Sequence, residues 1–206
     1  MDPDTAALAR WQQLLPGATE LGRELVRAYA DPVRHYHDVH HMLAVLAGID
    51  ELASVATAPR LVSLAGFFHD AVYDAPSADN EERSAQLAGS ALEQAGLTAD
   101  EAAEVARLVR LTTRHDPVLG DRDGAVLCDA DLAVLAGAEA SYAAYVRAVR
   151  AEYSFASDDQ WRTGRSEVLE RLLGLDRLFH TALGHLRWEA RARRNLAAEL
   201  AALNVS

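Results

Sequence analysis

The chain has 206 residues and a formal net charge of −11. The length predicts one domain. The negative charge argues against an extended surface for nucleic acid, because a phosphate backbone binds to a basic protein surface. All twenty basic residues are arginine, which excludes Schiff-base lysine chemistry and a P-loop, and Cys128 is the single cysteine, which excludes a thiolate zinc site. No apolar run approaches the roughly 18 residues of a membrane span and the N-terminus lacks a leader pattern, so we expect a cytoplasmic protein without a membrane partner.

Helical periodicity extends along almost the whole chain, because alanine, leucine, arginine and glutamate dominate and β-type alternation never persists. The sequence therefore predicts an all-α fold, a single compact bundle of about 8–10 helices in one domain over residues 1–206. The predicted helices cover residues 5–15, 18–30, 38–56, 59–73, 80–95, 98–115, 125–137, 139–153, 158–174 and 177–203.

The stretch RHYHDVHHMLAVL, residues 34–46, holds four of the eight histidines. On a helical wheel His41 falls at the edge of a broad apolar face, whereas His40 points toward solvent. His37 precedes His41 by four residues, so the two share an edge if the helix begins early enough. Since metal must here be held by imidazole and carboxylate, His41 is the predicted inward ligand and His40 a bystander.

Two further segments place polar side chains on apolar helical patterns. The run that ends in FFHDAVYD places His69 and Asp70 after a buried stretch, where an unpaired carboxylate would be costly. In VLCDADLAVLAG, Asp129 and Asp131 stand among apolar residues and also need partners. Three separated helices could therefore bring imidazole and carboxylate ligands to one point.

The blocks RHYHDVHHM, FFHDAVYD, NEERSA, LTTRHD and DADLAVLA together resemble the HD superfamily of metal-dependent phosphohydrolases, and more narrowly a bacterial family of uncharacterised predicted HD phosphohydrolases. The matched blocks define a motif core of about residues 34–135, on which the C-terminal helices 139–203 are expected to pack. The resemblance implies metal ligation by His41, His69, Asp70 and Asp131. We expect one divalent ion, because no second His-rich block of the type that builds two- and three-metal HD sites is evident, and the ligand set does not distinguish Mn, Fe, Mg, Zn, Co and Ni.

The segment YHDVHH also resembles the Tyr-His-Asn-x-x-His block of cyclic-nucleotide phosphodiesterases, although Asp38 replaces its asparagine. This resemblance makes His37 the expected general acid, and His115 is a second candidate proton donor. Asp70 is also expected to orient the attacking water. Arg34 and Arg114 are predicted phosphate contacts, because guanidinium binds phosphate through a bidentate fork.

The remaining assignments leave structural alternatives open. Tyr73 is expected at the pocket mouth, and Glu81 and Glu82 in an outer shell around the metal, although both glutamates also suit the first turn of a helix. His115 is equally explained as a cation at a helix C-terminus. Asp129 could exchange with Asp131 as ligand, and we favour Asp131 because it precedes leucine, as in the family.

The sequence thus predicts a metal-dependent phosphohydrolase that acts on a small phosphorylated substrate, a phosphate ester or nucleotide. The alternative is a non-catalytic module that binds a metal or nucleotide and has a sensing role. A ferritin-like di-metal oxidase is disfavoured because no paired Glu-x-x-His motifs occur. Homodimer formation is left open.

Overall fold

A computed structural model describes residues 1–204; positions 205 and 206 of the predicted domain lie outside the described residues. The described chain is all-α, as the sequence predicts, and contains no strand between residues 1 and 204. The first nine helices are α1 (Pro3–Leu14), α2 (Thr19–Tyr29), α3 (Val39–Leu52), α4 (Pro59–Phe68), α5 (Asn80–Gln94), α6 (Ala99–Leu111), α7 (Arg122–Leu132), α8 (Glu139–Glu152) and α9 (Asp158–Leu173).

The C-terminal helix, α10, covers residues 182–203. It consists of Ala182–Gly184, a π-helical turn His185–Glu189 and Ala190–Leu203, which follow one another without a break. A short 3₁₀ helix, Ala133–Ala136, follows α7 directly. Within residues 1–204 no helix is both long and apolar enough to cross a bilayer.

Helix α3 lies at the centre of the larger of two apolar clusters and packs against α4 and α7. Its buried face carries Met42, Val45, Leu46 and Ile49, each almost completely excluded from solvent. The second cluster joins α9 and α10 to the 3₁₀ helix, and Trp188 packs against both clusters. The helices that carry the predicted ligands therefore belong to one continuous core.

Close helix crossings bring the predicted site together. A Cβ on Gly48 of α3 would lie 3.0 Å from Cβ of Ala130 on α7, and one on Gly66 of α4 would lie 2.9 Å from Ile49. Such distances leave no room for a larger residue without a shift of the backbone or side chains. Glycine at these two positions therefore sets the spacing of α3, α4 and α7.

Four predicted helices are about five residues shorter in the structure, because 38–56 ends at Leu52, 59–73 at Phe68 and 98–115 at Leu111, and 177–203 begins at Ala182. In two of them, side chains capture the backbone groups of the missing residues. Residues 59–73 were expected to form one helix, but α4 ends at Phe68, where Arg34 takes the carbonyls of Asp70 and Ala71. The segment before α10 was expected to be helical from residue 177. Instead, carboxylates accept its amide hydrogens: Glu189 those of Leu178 and Phe179, Asp129 those of His180 and Thr181.

Candidate metal centre

The N-terminus of α3 positions His41. Asp38 is the N-cap, and its carboxylate accepts hydrogen bonds from the amides of His40 and His41 at 2.8 and 3.1 Å. The cap fixes the first turn so that the His41 side chain points inward, only 4% exposed, while His40 is exposed to solvent. His37 precedes the helix, so it does not share a helical edge with His41.

The C-terminus of α4 positions His69 and Asp70. His69 is the C-cap residue, and its Nδ1–H donates to the carbonyl of Gly66 at 2.9 Å. This hydrogen bond fixes the tautomer of a neutral ring, because a carbonyl only accepts, and it leaves the Nε2 lone pair directed into the site. Histidine ligands in metal proteins are commonly oriented in this way.

Four side chains, carried by α3, by α7 and by the two residues that follow α4, lie close together. The two Nε2 atoms of His41 and His69 are 3.0 Å apart. Oδ2 of Asp70 lies 3.0 Å from Nε2 of His69 and 3.4 Å from that of His41. Oδ1 of Asp131, on α7, lies 3.2 and 3.7 Å from the Nε2 atoms of His41 and His69. The ligand atoms of His41, His69 and Asp131 therefore all lie within 4.8 Å of one another, and Asp70 contacts the two histidines beside them.

This arrangement suits a divalent metal ion. Ligands bonded at about 2.1 Å lie roughly 3.0 Å apart in octahedral and roughly 3.4 Å apart in tetrahedral coordination. The separations within the buried group His41, His69 and Asp131 are close to these values, and that group could hold an ion. Two imidazoles with carboxylates accommodate several borderline and hard metals, so the donor set fits a metal without identifying it.

The electrostatics of the cluster are strongly coupled. Burial favours the neutral form of His41, but hydrogen bonds and charges from Asp131 and Asp70 outweigh burial and raise its pKa to about 10. The pKa of His69 is also raised, chiefly by the charge of Asp70 acting against burial. Burial alone would raise the pKa values of Asp70 and Asp131, yet the neighbouring histidines lower both. A divalent ion would replace positive charge that His41 otherwise holds as a proton.

His115 contacts one of the predicted ligands. Its Nε2 lies 2.7 Å from Oδ2 of Asp131, so the two oxygens of this carboxylate face different partners. His115 follows α6 in a left-handed backbone conformation, with φ of 54°, which non-glycine residues seldom adopt. Its carbonyl accepts a hydrogen bond from Nε2 of His180 at 3.0 Å. His115 therefore orients Asp131, and its expected role as a proton donor stays a prediction.

Asp129 faces away from the cluster. Both of its oxygens accept backbone hydrogen bonds, from His180 at 2.6 Å and Thr181 at 2.8 Å, immediately before α10. Burial raises the pKa of this carboxyl, against the effect of these hydrogen bonds. Of the two carboxylates that the sequence left open, Asp131 lies beside the histidines, whereas Asp129 fastens the segment before α10, so Asp131 stays the predicted ligand.

Glu152, the last residue of α8, binds the segment that carries His37. Its Oε1 accepts the consecutive amide hydrogens of His35, Tyr36 and His37 at 2.7 to 2.9 Å. Its Oε2 accepts from Nδ1–H of His37 at 2.7 Å and from the hydroxyl of Tyr73 at 2.8 Å. Burial would raise its pKa, but the hydrogen bonds and the charge of His37 lower the pKa to about 2. The side chain is 1% exposed and ionised at neutral pH.

Sequence reasoning missed Glu152, although a signal was present. Tyr142, Tyr145, Val149 and Glu152 follow one another at spacings of three and four, which places them on one face of α8. A carboxylate at the end of such a stripe, and at the unfavourable C-terminal end of a helix, needs an external partner. The sequence could not identify His37 as the partner, because it lies 115 residues away along the chain.

The two predicted phosphate contacts differ in their surroundings. Arg34 is buried, and its guanidinium donates to the carbonyls of His37, Asp70 and Ala71 at 2.7 to 3.1 Å. It thus ties the segments that carry His37 and Asp70 together, and this structural role uses donors that a phosphate would need. Arg114 is exposed, and within residues 1–204 its side chain makes no hydrogen bond or ion pair.

The predicted outer-shell glutamates do not contact the four predicted ligands in the described residues. Glu82 is exposed and forms a bidentate ion pair with Arg110 of α6, at 2.6 and 2.9 Å. Glu81 is half-buried and makes no hydrogen bond or ion pair with the four ligands in the described part of the chain. Tyr73 stacks on His37, with ring centroids 4.3 Å apart, and so lies beside the candidate proton donor. The structure therefore gives a contact near the site for Tyr73 but not for the two glutamates.

Comparison of the chain with protein-family models, with curated proteins and with solved structures finds no match.

Proposed function

We propose that this protein is a metal-dependent phosphohydrolase of the HD type that cleaves a small phosphate ester or nucleotide with one divalent metal ion. The observation that supports it is the cluster of His41, His69, Asp70 and Asp131, in which the two Nε2 atoms lie 3.0 Å apart and 3.0 to 3.7 Å from the carboxylate oxygens. An ion held there would lower the pKa of water at the site and draw charge from phosphoryl oxygens.

Asp70 would assist the attacking water. Its Oδ2 faces the two imidazoles, and its other oxygen remains to accept a hydrogen bond from that water. The backbone of Asp70 is fixed by two hydrogen bonds, which position its carboxylate. Its amide donates to the hydroxyl of Tyr29, and its carbonyl accepts from Arg34.

His37 would protonate the departing oxygen. Because Nδ1–H donates to Glu152, Nε2 is the ring atom that can hold a transferable proton. The ring cannot easily rotate away, since Tyr73 stacks on one face and the same Glu152 also holds the backbone of residues 35–37. Arg114 stays the predicted phosphate contact, whereas we assign Arg34 to holding the two segments together.

The test measures metal content and phosphate release together. Protein loaded in turn with Mn, Fe, Mg, Zn, Co and Ni is assayed on a panel of nucleotides and simple phosphoesters. His69→Ala is expected to lose the metal and the activity. The matched control is His40→Ala, which removes an exposed imidazole one residue from a ligand and should keep both.

Two outcomes would count against the proposal in different ways. Unchanged metal content in His69→Ala would contradict the assignment of the site. Full metal loading without phosphate release across the panel, together with tight binding of a nucleotide, would favour the sensing role instead.

A further inference from the structure

A pocket with aromatic walls lies between α8 and α9, beside the candidate metal centre. It has a volume of about 380 Å³, in the range of small-molecule sites. Its rings are those of Tyr36, Tyr145, Tyr153 and Trp161. Tyr36 and His37 form the end nearest to the metal ligands, because their rings lie 4.7 and 5.6 Å from that of His41.

The walls of this pocket suit a flat, uncharged group. Tyr36 and Tyr145 meet edge to face, with centroids 4.8 Å apart. Arg165 lies over the rings of Tyr145 and Trp161, but its charge is neutralised by Glu199 at 2.7 Å and both partners are buried. Aromatic rings bind other aromatic rings through stacked or edge contacts. Arg165, the arginine that lines this pocket, is already paired with Glu199, so its charge is not available to an anionic ligand.

Gly164 opens the wall on α9. A Cβ built on this residue meets no atom within 4 Å, so neither packing nor a close helix crossing requires glycine there. Glycine inside a helix is less stable than alanine, because it loses more backbone freedom on folding. Gly164 is exposed and lines the pocket, so a larger side chain there can extend over the pocket without a clash inside the fold.

We propose that the pocket binds a planar aromatic ring carried by the leaving alcohol of the phosphate ester. This inference rests on the proposed function, in which His37 gives its proton to the leaving oxygen. Whatever is attached to that oxygen must continue past His37, and the pocket that His37 borders is the aromatic one. A second groove of about 480 Å³, between α3, α7 and α8, reaches His41 and Asp131 and shares Tyr36 and Tyr145 with the first, but the rest of its wall is formed mainly by small and polar side chains, and His37 does not border it.

The first experiment measures binding without turnover. Adenosine, phenol and ribose are titrated into chelator-treated protein, with calorimetry and the change in tryptophan fluorescence as readouts. We expect adenosine or phenol to bind and ribose not to bind. Binding of adenosine alone points to a nucleoside as the leaving group, and binding of both points to aryl groups in general. If neither ring compound binds, the inference is wrong.

Pocket variants make the test specific. Gly164→Leu places a side chain in the pocket and is expected to weaken ring binding at least tenfold. Thr163→Leu, on the exposed neighbouring position of α9, is the matched control and should bind as the unmodified protein does. Circular dichroism of both variants checks that the fold is intact. Equal binding by folded Gly164→Leu would overturn the assignment of the pocket.

A kinetic arm separates this inference from the proposed function. In metal-loaded protein, kcat/KM is measured for a ring-bearing ester, phenyl phosphate or adenosine monophosphate, and for glycerol phosphate, which has no ring. Gly164→Leu should lower the preference for the ring-bearing ester, the ratio of these two kcat/KM values, at least tenfold. An unchanged ratio in an active enzyme would overturn the pocket assignment alone. If no ester is hydrolysed while adenosine or phenol still binds in a Gly164-dependent manner, the pocket stands and the phosphohydrolase proposal fails.

Discussion

Nδ1 of His37 donates a hydrogen bond to Oε2 of Glu152 at 2.7 Å, across 115 residues of sequence. The same carboxylate holds the three amides of residues 35–37, so the imidazole and its backbone are fixed by one side chain. A carboxylate that orients an imidazole in this way is a recurring device where histidine transfers a proton. The pair links α8 to the segment that precedes α3.

The first prediction uses the leaving group to test this pair. Since an acid matters most when the leaving oxygen is basic, His37→Ala should lower kcat about 10² to 10⁴-fold for an alkyl phosphate and far less for 4-nitrophenyl phosphate. Glu152→Gln should also lower kcat more for the alkyl phosphate than for 4-nitrophenyl phosphate, but by a smaller factor than His37→Ala. His35→Ala, on the same segment, is the control. Equal losses on both substrates would show that His37 does not donate the proton.

The second prediction concerns acid stability. The pKa of Glu152 falls from 4.5 to about 2 in the folded state, so its ionised form stabilises the fold. That contribution, about 3 kcal/mol, is fully present above pH 4.5 and is lost as the pH falls toward 2. Glu152→Gln should therefore be markedly destabilised at pH 7, and the deficit should shrink between pH 5 and pH 3. Urea unfolding at several pH values measures it, and a deficit independent of pH would contradict this account.

The third prediction concerns protons released by metal binding. The pKa of His41 is raised to about 10, so chelator-treated protein carries a proton on this ring at pH 7, whereas a metal needs the neutral imidazole. Binding of Mn²⁺ should therefore release at least one proton, and affinity should rise with pH between 6.5 and 9. Calorimetry in buffers of different ionisation enthalpy counts the protons. A binding heat that does not depend on the buffer would show that His41 is not a ligand.

Much of the fold could be predicted because helical periodicity and helix-ending residues act locally. His41 and Asp131 could be singled out because each interrupts an apolar pattern, and burial of a polar group demands a partner. The choice between Asp129 and Asp131 could be favoured by sequence context but not decided from periodicity, since both are polar residues on one short helix. It depends on which carboxylate meets the amides of residues 180 and 181, some 50 residues later in the chain.

The role of Arg34 was beyond sequence reasoning for the same reason. An arginine near histidines resembles a phosphate contact, but its donors are taken by carbonyls of a segment 36 and 37 residues away. That contact also explains why α4 ends earlier than its apolar pattern predicts. Tertiary hydrogen bonds of this kind override local periodicity and leave no local trace.

The fourth prediction tests the crossing of α3 and α7. A methyl group on Gly48 would lie 3.0 to 3.1 Å from Cβ and Cα of Ala130, the neighbour of Asp131, so Gly48→Ala must push the helices apart. We expect a loss of about 1–3 kcal/mol in stability and weaker metal binding. Gly164→Ala is the matched control, because its Cβ meets nothing within 4 Å, and it should be neutral or stabilising. Full metal affinity in Gly48→Ala would mean that the crossing does not set the site.

The fifth prediction contrasts the two carboxylates of α7. Asp129→Ala removes the acceptor of two buried amide hydrogens before α10, which should cost about 2–4 kcal/mol, at about 1–2 kcal/mol for each amide left unsatisfied. It should leave the metal content of the folded protein unchanged. Asp131→Ala should abolish metal binding, because its Oδ1 faces both imidazoles. Metal analysis and urea unfolding of the two variants thus give opposite patterns, and metal loss in Asp129→Ala with full retention in Asp131→Ala would reverse the ligand assignment.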